Sequence, residues 1–82
     1  GIELQRKANE AQVQRAQAGV DAAKADLARA RRGARPQQRE QAQIQLRQAE
    51  RGLETARKNF EDVQYLHQKG ALPRIQLDQA QE

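Results

Sequence analysis

Apolar residues run along the chain in two long stripes. Val13, Ala16, Val20, Ala23, Leu27 and Ala30 follow one another at alternating steps of three and four residues. That repeat keeps one face of a helix apolar and seats it against a neighbouring helix. Ile2 falls on the same register further back. Ala42, Leu46, Ala49, Leu53, Ala56, Phe60 and Val63 repeat the pattern, and His67 ends it on the same register. The spacing predicts a helix over about 3–32 and another over about 37–69. Both stripes alternate alanine with a larger residue, which allows helices to approach closely but supplies little apolar area per turn. Either helix alone is therefore marginal in water.

The stripes are out of phase. Twelve residues separate Ala30 from Ala42, which at about 100° per residue turns the stripe by roughly 120° if one helix simply continues. Something must reset the register, and the stretch RARRGARPQQR, residues 29–39, has the means. Gly33 suits the left-handed conformation just past a helix end, arginines complement the negative C-terminal dipole, and Pro36 fits the first turn of a new helix. A break over 33–36 is expected. A second one follows at HQKGALPR, where Lys69 precedes Gly70 and Pro73 starts the run RIQLDQAQE. A tight turn at about 70–73 and a third helix over 74–82 are expected. The fold class is all-α: one helical module over 1–82, a long antiparallel coiled-coil hairpin fragment. From sequence, the chain either folds back at 33–36 or stays extended there and pairs elsewhere.

Composition agrees with long helices rather than a globular core. Of the 82 residues, 37% are hydrophobic and 32% charged, with one Phe, one Tyr and no Trp, Met or Cys. That is the make-up of coiled coil, with too few large apolar side chains for a conventional small domain. Without cysteine and with one histidine, neither a disulfide framework nor a Cys/His zinc site can be built. Serine is absent as well, so no nucleophile stands beside a base and no catalytic activity is expected. No cofactor or metal is expected. No run approaches the roughly 18 apolar residues that span a bilayer.

The net charge of +4 has a local origin. Residues 29–39 hold five arginines and no acidic residue, leaving ten basic against eleven acidic side chains elsewhere. Clustered arginines suit phosphate, but no aromatic residue lies close by for stacking on bases, and no nucleic-acid-binding motif is completed. A helix junction without specific affinity for nucleic acid is the expectation.

Two segments carry a family resemblance. ARRGARPQQREQAQ is similar to the Arg-Pro-Glu-Glu-containing helix break common in adaptors paired with ABC exporters, and YLHQKGALPRIQLDQAQ is similar to the hairpin tip of the same proteins. The chain thus resembles the α-helical hairpin of the HlyD-type periplasmic adaptors, also called membrane fusion proteins, over nearly its whole length. The resemblance implies a structural and interaction module of efflux or secretion systems, located in the periplasm, in a parent protein anchored to the inner membrane. The implied partners are a TolC-like outer-membrane channel and, through other domains, an inner-membrane transporter of ABC type. It implies further copies of the same chain in a hexameric ring. In such an adaptor the first two helices are expected to be nearly collinear, with the third running back along the second. Lipoyl-type strands and an anchor or signal are expected outside the present segment.

The tips of many such hairpins carry an Arg, then a Leu, a Ser and an Asp at fixed spacing. Counted back from Asp78, these positions fall on Asp62, Leu66 and Pro73. Leu66 and Asp78 match the pattern, whereas Asp62 and Pro73 depart from it. The resemblance implies partner contacts at Asp62, Leu66, Gly70, Leu72, Pro73 and Asp78. Read as ordinary structure, Leu66 closes the seam, Pro73 starts a helix and Asp78 favours a helix N-terminus. Two other functions fit the residues less fully: a generic coiled-coil oligomerisation segment, and a basic helical nucleic-acid binder using residues 29–39.

Overall fold

The structure, a computed structural model, describes residues 1–69. Helix α1 spans Ile2–Arg31 and helix α2 spans Pro36–Lys69. They pack antiparallel along their length into a rod about 60 Å long. The expected turn at 70–73 and the third helix over 74–82 lie outside the described residues.

The all-α hairpin is present, and the chain turns back at the first break rather than continuing through it. The collinear arrangement implied for α1 and α2 by the adaptor resemblance is not what the chain adopts. Its seams explain this. Collinear helices would leave both alanine-rich stripes exposed to water, whereas folding at residues 32–35 lays one against the other.

Side-chain pairs set the register. Arg57 donates from Nη2 to Gln17 Oε1 across the pair at 3.2 Å. Val20 and Leu53 line one interhelical groove, and Ala16 and Ala56 line the other. In an antiparallel pair this alignment continues along the rod. It places Val13 level with Phe60, Val20 with Leu53 and Leu27 with Leu46. Between them Ala16 meets the level of Ala56, Ala23 that of Ala49, and Ala30 that of Ala42. Large side chains thus share levels with large ones and alanines with alanines. The alanine levels let the backbones approach, and the intervening levels supply the apolar area. Val20, Ala23, Leu27, Ala42, Leu53 and Ala56 are buried. Val13, Ala16, Ala30, Leu46, Ala49, Phe60 and Val63 are half-buried.

His67, expected to end the seam, is exposed. Carried one further level, the register puts it opposite the polar start of α1. There Arg6 and Asn9 occupy the seam positions that precede Val13, and both are half-buried. Asn9 Nδ2 donates to the Gln5 carbonyl at 2.9 Å, so its amide turns back onto its own helix instead of across the pair.

The bend departs from expectation in its chemistry. Gly33 does not adopt the left-handed conformation. Instead Arg32 caps α1 with φ −88° and ψ 1°. Its N–H reaches Arg29 O at 3.1 Å, and Ala34 N–H reaches Ala30 O at 3.0 Å. These bonds tighten the last turn and satisfy two carbonyls that the helix end would leave free. Pro36 is the first residue of α2, where a missing N–H costs nothing. Gln38 Oε1 accepts from Arg35 N–H at 3.2 Å, one half of a capping box. Arg39 Nη1 donates to Ala34 O at 3.1 Å and ties the bend to the next turn.

Candidate interaction surfaces

A paired rod presents two ends and a set of outer faces to partners. The open end holds the start of α1 and the end of α2. Arg6 is the organising side chain there: it bonds to Glu3 at 2.6 Å and lies 3.9 Å from Glu10. The hydrogen bond from Arg6 holds the Glu3 carboxyl below its usual range, against an opposing effect of desolvation and with help from the nearby charges of Arg6 and Lys7. The same bond raises the Arg6 guanidinium above its ordinary value. Lys69 Nζ lies 5.9 Å from the centre of the exposed Tyr65 ring, within reach of a cation–π contact.

Of the implied tip residues, Asp62 is exposed on α2 and Leu66 is half-buried one turn later. The structure brings both to the open end of the rod. Gly70, Leu72, Pro73 and Asp78 lie outside the described residues.

Midway along the rod, Gln17 forms the cross-helix polar link. Its amide nitrogen donates to Asp21 Oδ1 at 3.2 Å while its oxygen accepts from Arg57. The amide is therefore oriented by a carboxylate on one side and a guanidinium on the other. On the opposite face, Gly19 and Gly52 line an open groove with Ala16, Ala49 and Ala56. A methyl group added at either glycine would meet nothing.

The closed end is strongly basic. Arg29 is paired with Asp26, and Arg39 is held by the Ala34 carbonyl. Arg31, Arg32 and Arg35 are exposed, and no carboxylate pairs with them among the described residues. The first turn of α2 contains no acidic residue to offset them.

Sequence reading missed Arg6 and Asn9 as seam residues because it followed apolarity, which stops at Val13. The signal was the step itself: Ile2, Arg6, Asn9 and Val13 continue the four-three repeat without a gap. Among the described residues no cluster of three or more His, Asp or Glu side chains is placed to hold a metal ion. No helix among them is long and apolar enough to cross a membrane. Compared with known proteins, the chain matches no family model, no curated protein and no solved structure.

Proposed function

We propose that the chain is the helical-hairpin module of a periplasmic adaptor, a rigid spacer through which an inner-membrane transporter is coupled to a TolC-like outer-membrane channel. The observation that supports this reading is two long helices, each of more than 29 residues and each with a seam of alternating alanine and larger side chains, although α1 here folds back on α2 instead of continuing into it. That architecture separates its two ends by about 60 Å and holds them in fixed relation. It suits a protein whose task is to bridge rather than to react. In this reading the open end, with Asp62 and Leu66, faces the channel, and several copies in a ring compensate for weak contacts at each tip.

The test uses the full-length adaptor. Leu66→Ser should abolish export while leaving helicity and pump association intact, whereas Leu46→Ser, on the seam, should lower helix stability. Normal export by Leu66→Ser, or failure only through unfolding, would remove the docking role.

A second reading, a homotypic coiled-coil oligomerisation segment, draws on the face of α1 turned away from α2. Leu4, Ala8, Ala11, Ala18, Ala22 and Ala25 lie there at helical spacing, and Leu4 is 71% exposed. Sedimentation of the isolated chain separates the two readings, since the second requires a stable oligomer in the absence of any channel or pump.

A further inference from the structure

The arginines of the bend are concentrated at one end of a rod and spread around it. Arg29 and Arg31 both lie in the last turn of α1 and point about 160° apart at 100° per residue. Arg32 and Arg35 sit on the bend itself, on either side of Gly33. No single carboxylate or phosphate approaching from the side can meet such a set. A broad anionic surface met end-on can, because the rod is only 24 × 14 Å in cross-section.

Charge elsewhere favours the same orientation. Outside residues 29–39 the chain carries ten basic and eleven acidic side chains, a sum of −1. Even with the flanking Asp26 and Glu40 included, the closed end holds five positive charges against two negative. An anionic surface therefore attracts one end of the rod and is indifferent to its sides.

The bend also narrows the class of polyanion. Gly33, Ala34, Pro36, Gln37 and Gln38 offer no aromatic ring to stack on a base. Three exposed arginines make only a few phosphate contacts, too few to hold a duplex firmly at physiological salt. A lipid bilayer presents many phosphates in one plane, and every exposed arginine of the end can face it at once.

We propose that the closed end of the hairpin docks end-on onto an anionic phospholipid membrane, with Arg31, Arg32 and Arg35 meeting lipid phosphates. This docking rests on the charge and shape of the hairpin and does not depend on the adaptor reading. Each arginine brought to such a surface strengthens partitioning roughly fivefold, equivalent to about 1 kcal/mol.

The chain of residues 1–82 should co-sediment with vesicles containing phosphatidylglycerol and not with pure phosphatidylcholine. Binding should fall steeply between about 0.1 M and 1 M salt, as the screening length shrinks from about 10 to 3 Å. Changing Arg31, Arg32 and Arg35 together to Gln should weaken partitioning roughly a hundredfold, and changing them to Lys should retain most of it. All three side chains are exposed, so unchanged helicity is expected in both variants. Changing Arg47, Arg51 and Lys58 on α2 to Gln removes the same charge from the side of the rod and should leave partitioning nearly unchanged.

Three results would overturn the proposal: equal losses from the end and side variants, equal binding to neutral vesicles, or displacement from vesicles by short duplex DNA at matched phosphate. The last would assign the end to nucleic acid.

Discussion

Leu53→Ala is the sharpest probe of the seam. Leu53 is 8% exposed, sits level with Val20 and lines the groove beside it. Truncation to alanine removes three carbons, worth about 2.4 kcal/mol at roughly 0.8 kcal/mol for each. The larger penalties of closed cores include a term for the void left behind. Here the site opens onto a groove that water and neighbouring side chains can fill, so that term is small and the transfer term decides. A pair of this size holds only about 3–5 kcal/mol of net stability, and the substitution should remove half of it or more. At roughly 4–8 °C per kcal/mol for a chain of this length, the melting temperature should fall by about 10–20 °C. Thermal unfolding followed by circular dichroism reads this directly. Leu4→Ala is the control, because its side chain is 71% exposed and its loss should cost almost nothing. Equal costs for the two substitutions would mean that the seam does not hold the helices together.

Gly33→Ala should stabilise by about 0.4–1 kcal/mol, because the native backbone there suits an L-residue and an added methyl meets nothing; a loss seen in urea unfolding would restore the left-handed cap. Gly19→Ala and Gly52→Ala should each add about 0.5–1 kcal/mol by the same assay, since both lie inside helices with open space around them. Gln17→Ala should cost about 0.5–1.5 kcal/mol through loss of the Arg57 bond, and an Arg57→Ala background should absorb most of that cost. Acidification should loosen the first turns of α1. Glu3 has a folded-state pKa below its ordinary value, so its contribution is present above about pH 4.3 and is lost as pH falls through the depressed value. Amide exchange at residues 3–10 should quicken over that acid range in the parent chain and show no such change in Glu3→Gln.

Much of this fold is legible in the residues, and what is hidden has identifiable causes. The three-four repeat marks which face of each helix is apolar, and the phase step between Ala30 and Ala42 marks where the helix must stop. Such a repeat specifies a face but not its partner, so folding back and pairing elsewhere remain equal from the sequence. The pairing of levels is the information that separates them. Aligned about the break, Val13, Val20 and Leu27 fall opposite Phe60, Leu53 and Leu46, with alanines opposite alanines between them. The bend hides its chemistry for another reason. A glycine after a helix end suggests the left-handed cap, but the tightened turn at Arg32 and the Gln38 and Arg39 contacts define the reversal without it. At the open end, polar residues on an apolar register conceal the continuation of the seam. The tip role proposed for Leu66 and Asp62 rests on family resemblance alone, because nothing in their spacing distinguishes a docking position from a packed helix end.

The antiparallel pairing of α1 and α2 within one molecule underlies every other conclusion, and one distance measures it. Gln14 and Asn59 are both exposed and stand level across the pair in this register. With cysteine absent from the chain, Gln14→Cys and Asn59→Cys introduce the only thiols for spin labels. Pulsed electron resonance on a dilute sample should return one short distance, of the order of two helix diameters or roughly 20–25 Å. A distance near 65 Å, which is what about 45 residues at 1.5 Å each would span in collinear helices, would contradict the fold. So would a short distance that vanished on dilution with unlabelled chain, because the pairing would then lie between copies.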